Sequence, residues 1–256
     1  MGMLKLILIG TGNISRFLFD VLVDQPDVSV VQVLGRNIQA LDYFRDRAKV
    51  SSDFKAIEQA DLYILAVSDE AISEVSRKLQ IESGLLVHTA GSISMDALPK
   101  EMRRGVLYPL QTLSGILPEK MKDIPLCVEA GFEEDYLLLE KLARLISDRV
   151  VRITSEKRKL LHLSAVFANN FSNHLFYLSS EICEEHGVDF DLIRPLIRES
   201  CTKVMNQNPF DAQTGPARRG DQRTLEEHLG MLTSARLKEI YKVLTKSIQH
   251  TYGKEL

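Results

Sequence analysis

Short runs of valine, isoleucine and leucine recur through the first 153 residues, at Leu4–Ile9, Val30–Leu34, Leu62–Val67, Leu85–Thr89, Gly105–Tyr108, Leu126–Glu129 and Val150–Ile153. The segments between them carry helical spacing. In the first, Ile14, Phe17, Leu18, Val21 and Leu22 fall at i, i+3, i+4, i+7 and i+8 and leave Arg16 and Asp20 on the opposite face. Asp69 and Glu133 mark further helix starts, where an acidic group meets the positive end of the helix dipole. Strands alternating with helices predict a parallel sheet flanked by helices.

After Ile153 the strand signal ends. From a cap at Thr154 or Ser155 to a stop at Gly187, the chain reads as one helix of roughly 30 residues, about 45 Å long. Leu160, Leu163, Val166, Phe167, Phe171, Leu175, Phe176 and Leu178 spread over more than one of its faces, which predicts the sheltered central rod of a helical domain, packed in part on a second copy of the chain. Residues 189–206 give a second helix and 224–250 one or two more, joined by the turn-rich stretch 206–222. The expected division is 1–153 and 154–256.

The run "LKLILIGTGNIS" ends in two glycines one residue apart, directly before the first amphipathic helix. In a dinucleotide-binding turn the first glycine makes the bend, the second lets the main chain approach the diphosphate, and a third small residue permits close helix packing. Gly10, Gly12 and Ser15 fill these places, with Thr11, Asn13 and Ile14 completing the turn; a plain strand–helix turn is the alternative. An NAD site has an acidic residue about 20 residues further on to hold the ribose hydroxyls, but here the second strand closes on "VLGRN". Arg36 and Asn37 suit a 2′-phosphate, so NADP is the expected cofactor. Val67, Ser68, Ala90 and Gly91, at later strand ends, complete the expected cofactor wall. The expected fold is therefore α/β, a Rossmann-type, mostly parallel sheet followed by an all-helical C-terminal domain.

Size and charge narrow the classes. A chain of 256 residues, 45% hydrophobic, can bury one large core or two modest ones. A net charge of −3 without a basic patch argues against nucleic acid as a partner. The apolar runs fall short of the roughly 18–20 residues that span a bilayer, and the apolar N-terminus runs straight into the glycine turn, as a core strand does. Cys127, Cys183 and Cys201 are too scattered for a disulfide framework or a zinc site, and "DFD" at 189–191 lacks further ligands; a reducing cytoplasm and no metal are expected.

The stretches "GTGNIS", "LGRN", "AVSDEAI", "HTAGS", "YPLQTLS", "CVEA", "LSAVFANNFSNHL" and "TGPARRGD" together resemble a Rossmann-like family with a C-terminal helical domain of unknown function. That family is related to pyrroline-5-carboxylate reductases and deazaflavin-linked NADP oxidoreductases. The resemblance implies an NADP-binding domain, a helical domain that dimerises, and a cleft between them. Two features depart from the wider group. Hydroxyacid dehydrogenases of this type carry a lysine four residues before an asparagine, whereas Asn169, Asn170 and Asn173 follow Ala165, Val166 and Asn169 at that spacing. Tyr108 stands where family members often show histidine.

Three groups are candidates for the substrate. Gln111, Thr112 and Ser114 follow the Gly105–Tyr108 run. Asn169, Asn170, Asn173 and His174 interrupt an apolar helix, where buried amides need partners; His174 reads better as an interface residue than as a catalyst. Thr214, Gly215, Arg218 and Arg219 make a rigid charged turn beside Asp221, comparable to the segment that receives the substrate carboxylate in pyrroline-5-carboxylate reductases; His228 is a weaker candidate nearby. The expected activity is NADP(H)-dependent reduction of a small imine or carbonyl compound, with Gln111, Thr112 and Asn170 polarising the acceptor and Asn173, Thr214, Gly215, Arg218 and Arg219 holding it. A non-catalytic NADP-binding sensor or scaffold is the alternative.

Overall fold

The structure, a computed structural model, describes residues 2–113 and 121–253, so Ser114 lies outside the described residues. Eight strands form one sheet: β1 (Leu4–Ile9), β2 (Val28–Leu34), β3 (Lys49–Ser51), β4 (Leu62–Leu65), β5 (Leu85–His88), β6 (Arg103–Pro109), β7 (Leu126–Ala130) and β8 (Val150–Arg152), in the order β3-β2-β1-β4-β5-β6-β7-β8. Every neighbouring pair is parallel except β6 and β7. The order reverses between β1 and β4, the crevice where open α/β sheets bind ligands. β3 escapes the hydrophobic pattern because only Val50 of its three residues is apolar.

Successive side chains of a strand point to opposite faces, and the core divides accordingly. Leu6 and Leu8 of β1 join Phe17, Leu18 and Leu22 of α1 (Asn13–Leu22) in one cluster. After α2 (Ile38–Leu41), α3 (Ile72–Lys78) packs on the other face, where Ile72 and Val75 meet Ile7 and Ile9. Leu139, Leu142 and Ala143 of α4 (Glu133–Ile146) return to the first face.

The chain forms two compact units, Met1–Ala168 and Asn169–Leu256, so the first extends beyond the expected boundary at 153. The reason lies in α5 (Ser155–Ala165), whose Ser155 and Arg158 are buried among residues of the sheet edge. The expected single long helix is interrupted by a π-helical segment, Val166–Phe171, before α6 (Ser172–Glu185). Thr154 caps α5, and Gly187 follows α6 with φ +65°. Then come α7 (Arg194–Asn206), α8 (Pro209–Ala212), α9 (Pro216–Arg219), α10 (Gln222–Met231) and α11 (Ala235–Tyr252); α8 and α9 are single turns within the stretch expected to lack regular structure.

The expected sheltered rod is not sheltered within one chain. Leu160, Leu163, Phe167 and Phe171 are each half or more exposed, and on α6 only Leu178 and Cys183 are buried. Among the described residues, no helix is long and apolar enough to cross a membrane.

Gly10 is fixed by folding itself. Its φ is +125°, and a Cβ there would lie 2.1 Å from the Ala66 carbonyl oxygen, where β1 and β4 meet. Gly10→Ala is expected to destabilise the fold by about 3 kcal/mol or more, combining backbone strain with an overlap that neither strand can relieve. A urea midpoint equal to that of the parent chain would contradict this.

Candidate functional site

Register brings four strand ends into one row. Ile9 lies opposite both Leu34 and Leu65, and Leu65 lies opposite His88, so the carboxyl ends of β2, β1, β4 and β5 are level. Gly10–Ile14, Arg36–Asn37, Val67–Ser68 and Ala90–Gly91 leave the sheet along this edge. Gly12 is the N-cap of α1 in an extended conformation, no side chain caps the helix, and its first turn holds no acidic residue. A Cβ on Gly12 would meet nothing within 4 Å among the described residues. Among the described residues nothing crowds the Gly12 end of α1, as an anion-binding helix terminus requires. Asn13 Nδ2 donates to the Leu113 carbonyl at 2.7 Å and ties the loop after β6 to this turn.

Arg36 and Asn37 are exposed. Asn37 Oδ1 accepts from Ala40 N at 3.1 Å and caps α2, so its amide nitrogen is the group left to donate to a ligand. Lys78, and to a lesser degree Arg36, hold the Glu74 carboxyl below the usual carboxylate range. At the other end of the row, Ser92 Oγ donates to Asp69 Oδ2.

The segment after β5 is held from below by Arg158, a fully buried guanidinium. Its Nη1 donates to the Ala90 and Gly91 carbonyls at 2.7 and 3.0 Å; its Nη2 donates to Glu129 Oε2 and Ser155 Oγ, both at 3.1 Å. Ser155 N in turn donates to Glu129 Oε1 at 2.9 Å. One turn beyond Arg158, His162 Nδ1 stands 3.1 Å from Tyr108 Oη, with the rings edge to face. Gly91 lies against both rings: a Cβ there would fall 2.6 Å from His162 Nδ1 and 2.7 Å from Tyr108 Cζ. Burial, reinforced by Cys127, raises the Tyr108 phenol above its ordinary value, so it keeps its proton. Arg158, Glu129 and His162 were not singled out from the sequence. Their signal was the spacing of Ser155, Arg158 and His162, three polar residues on one face of a helix, which reads equally well as a solvated surface.

The remaining candidates are placed as follows. Gln111 Oε1 accepts from Thr112 N at 2.9 Å, within its own loop. Asn169, Asn170 and Asn173 are exposed on the π-helical segment and the start of α6, not buried as expected. His174 is exposed and stacks on Tyr177. In the second unit, Gly215 adopts φ +106° ahead of α9, Arg218 Nη1 donates to the Gln213 and Asp211 carbonyls, and its guanidinium lies 5.0 Å from the Tyr252 ring centre. Thr214 and Arg219 are exposed. Asp221 caps α10 through Thr224, and His228 Nδ1 lies 2.8 Å from Tyr241 Oη. Among the described residues, no group of three or more His, Cys, Asp or Glu could hold a metal ion.

Comparison places this architecture. Residues 124–248 match the family profile of the domain of unknown function DUF2520. A solved protein of Bacteroides fragilis, provisionally designated an NADP oxidoreductase, is 35% identical over 97% of this chain and 98% of its own, with a TM-score of 0.86. The chain belongs to this family of Rossmann-like proteins with a helical C-terminal region. Protein TM1727 of Thermotoga maritima is 26% identical over 98% and 99%, with a TM-score of 0.74. A reductive aminase of Aspergillus terreus, solved with NADPH and ethyl levulinate, shares the fold at 13% identity, covering 98% and 95%, with a TM-score of 0.70. No curated protein matches the chain. These likenesses establish the Rossmann-like fold with its helical C-terminal region.

His88 yields a prediction about stability. Its Nδ1 accepts from Ala90 N at 3.2 Å and its Nε2 faces the Ser94 carbonyl at 3.3 Å, while burial first and the Arg158 charge second press it down to about 4. An unfolded histidine titrates near 6.5, so the unfolded chain binds more protons between these values. The contribution of His88 is complete above pH 6.5 and is lost as pH falls toward 4, by about 3 kcal/mol. Urea unfolding at pH 7.5 and 4.5 should show this loss, and His88→Asn should reduce it; equal pH dependence in both chains would refute the assignment.

Proposed function

We propose that this protein is an NADP(H)-dependent oxidoreductase that reduces a small imine or carbonyl compound. The observation that carries the reading is Gly12. Its φ of −77° and ψ of −176° are open to any residue, and a Cβ would meet nothing within 4 Å among the described residues. None of the described neighbours requires glycine there, whereas a diphosphate seated against bare main chain does. Gly10, Thr11, Gly12, Asn13 and Ile14 are the proposed diphosphate cradle. Arg36 and Asn37 are assigned to the 2′-phosphate, Val67 and Ser68 to the ribose, and Ala90 and Gly91 to the nicotinamide. The provisional name of the Bacteroides protein and the NADPH bound by the reductive aminase support the choice of cofactor.

Bound there, the nicotinamide supplies hydride chemistry; the chain's own residues orient the acceptor and polarise it. Gln111, Thr112 and Asn170 are the proposed polarising groups, with Asn173, Thr214 and Gly215 in the substrate site. Of the two arginines, Arg218 is engaged by loop carbonyls and Arg219 is exposed, so Arg219 is the stronger anion clamp. A second copy of the chain is the proposed cover for Leu160, Leu163, Phe167 and Phe171, and a reducing cytoplasm the proposed setting for three unpaired cysteines.

Calorimetry should show NADPH binding more tightly than NADH. Arg36→Ala should remove about 1.5–3 kcal/mol of NADPH binding, roughly 10- to 100-fold, and leave NADH unchanged. Gly12→Val should cost no more stability than a poorer N-cap does, about 1 kcal/mol, and lose both dinucleotides. Equal affinities in the parent chain, or binding retained by Gly12→Val, would overturn the reading. Sedimentation should give a dimer that Leu163→Glu with Phe167→Glu converts to a folded monomer; a monomeric parent would remove the assembly.

A further inference from the structure

We propose that Tyr108 and His162 are the proton-delivering pair of this site, with Tyr108 Oη giving its proton to the heteroatom of the acceptor and His162 Nδ1 restoring it. This rests on the reductase reading above and adds the acid which that reading lacks. Reduction of a C=N or C=O bond by hydride leaves an electron pair on nitrogen or oxygen, which must take one proton. The amides of Gln111 and Asn170 and the hydroxyl of Thr112 polarise an acceptor through hydrogen bonds but do not surrender a proton near neutral pH. No lysine stands four residues before Asn169, Asn170 or Asn173, where hydroxyacid dehydrogenases carry theirs. A phenol touching an imidazole supplies what these groups cannot.

The placement favours the same role. Val106 is the register partner of His88, so Tyr108 stands at the carboxyl end of β6, beside the end of β5. Gly91, assigned to the nicotinamide, lies directly against both rings. With no Cβ at position 91, the Tyr108 and His162 rings pack directly on the main chain assigned to the nicotinamide. The Tyr108 phenol is nine-tenths buried and His162 is half-buried, so the tyrosine is shielded and the histidine retains a path to water.

The step balances. Hydride forms the new C–H bond, and the π electrons move to the heteroatom. That atom takes the Tyr108 proton as the O–H bond breaks. His162 passes its Nδ1 proton to the phenolate while its Nε2 accepts one from solvent. Arg158, which also bears on Tyr108, gains or loses nothing; its guanidinium positions the Ala90–Gly91 main chain.

The test has an arm that needs no turnover. In the free, full-length protein, Tyr108→Phe should move the His162 Nδ1 resonance in a nitrogen-15 spectrum; an unmoved resonance overturns the pairing. In the second arm, NADPH oxidation is followed with 2-methyl-1-pyrroline and with cyclohexanone. Tyr108→Phe should lower turnover about 100-fold or more while NADPH affinity is retained. His162→Asn, which keeps a donor toward Oη but cannot titrate, should lower turnover less and change the solvent deuterium isotope effect. Parent-like turnover by Tyr108→Phe overturns this inference and leaves the reductase reading standing. A parent chain that oxidises NADPH with neither probe overturns both.

Discussion

The candidate site depends on a buried guanidinium. Arg158 has no exposure, and it spends four hydrogen bonds on two main-chain carbonyls after β5, on Glu129 of β7 and on Ser155 at the start of its own helix. Taking a charge out of water costs several kcal/mol, and such a group persists only when its partners are well placed. Here the partners come from three separate parts of the chain, so the ion pair fixes α5 against the sheet edge and fixes the Ala90–Gly91 segment at the same time. Among the described residues its Nε has no hydrogen-bond partner, which leaves the arrangement short of full compensation. Removing the guanidinium would take away the side-chain donor of the Ala90 and Gly91 carbonyls and leave Glu129 with only the Ser155 N–H and hydroxyl.

Around that anchor, two glycines act for different reasons. Gly10 satisfies the fold, since the crossing of β1 and β4 leaves no room for a side chain. Gly12 satisfies no packing demand. A third, Gly91, stands between these cases, because its missing side chain makes room for two aromatic rings rather than for main chain. Sequence alone presents all three as glycine at a strand end, and the distinction appears only when the neighbours of an absent Cβ are measured.

Much of the sheet was legible. Seven of the eight strands announce themselves as apolar runs, and the alternation with helices fixes the layers. β3 was missed because three residues with one apolar side chain carry no period. The edge proposed for the cofactor rests on local features visible in the sequence: a glycine turn at a strand end and the absence of an acid after β2. The Tyr108–His162 and Arg158–Glu129 pairs could not. Their members lie 54 and 29 residues apart, and nothing in the intervening pattern brings them together. The helical region failed in another way. Its apolar faces were read as buried because hydrophobic residues usually are, but a lone chain leaves them exposed.

One reversal in the sheet sets the direction of α5. Had β7 run parallel to β6, β8 would have ended at the carboxyl edge, and the helix after it would have travelled back along the sheet toward the opposite rim. Because β7 runs against β6, and β8 follows β7, the chain leaves the sheet at mid-height, where Ile153 N still donates to Val128 O. The helix therefore advances toward the rim. It meets the main chain after β5 on its first full turn and the end of β6 on its second. The hairpin acts as a change of heading, turning what topology would make a buttress into an arm that carries polar groups up to the working edge.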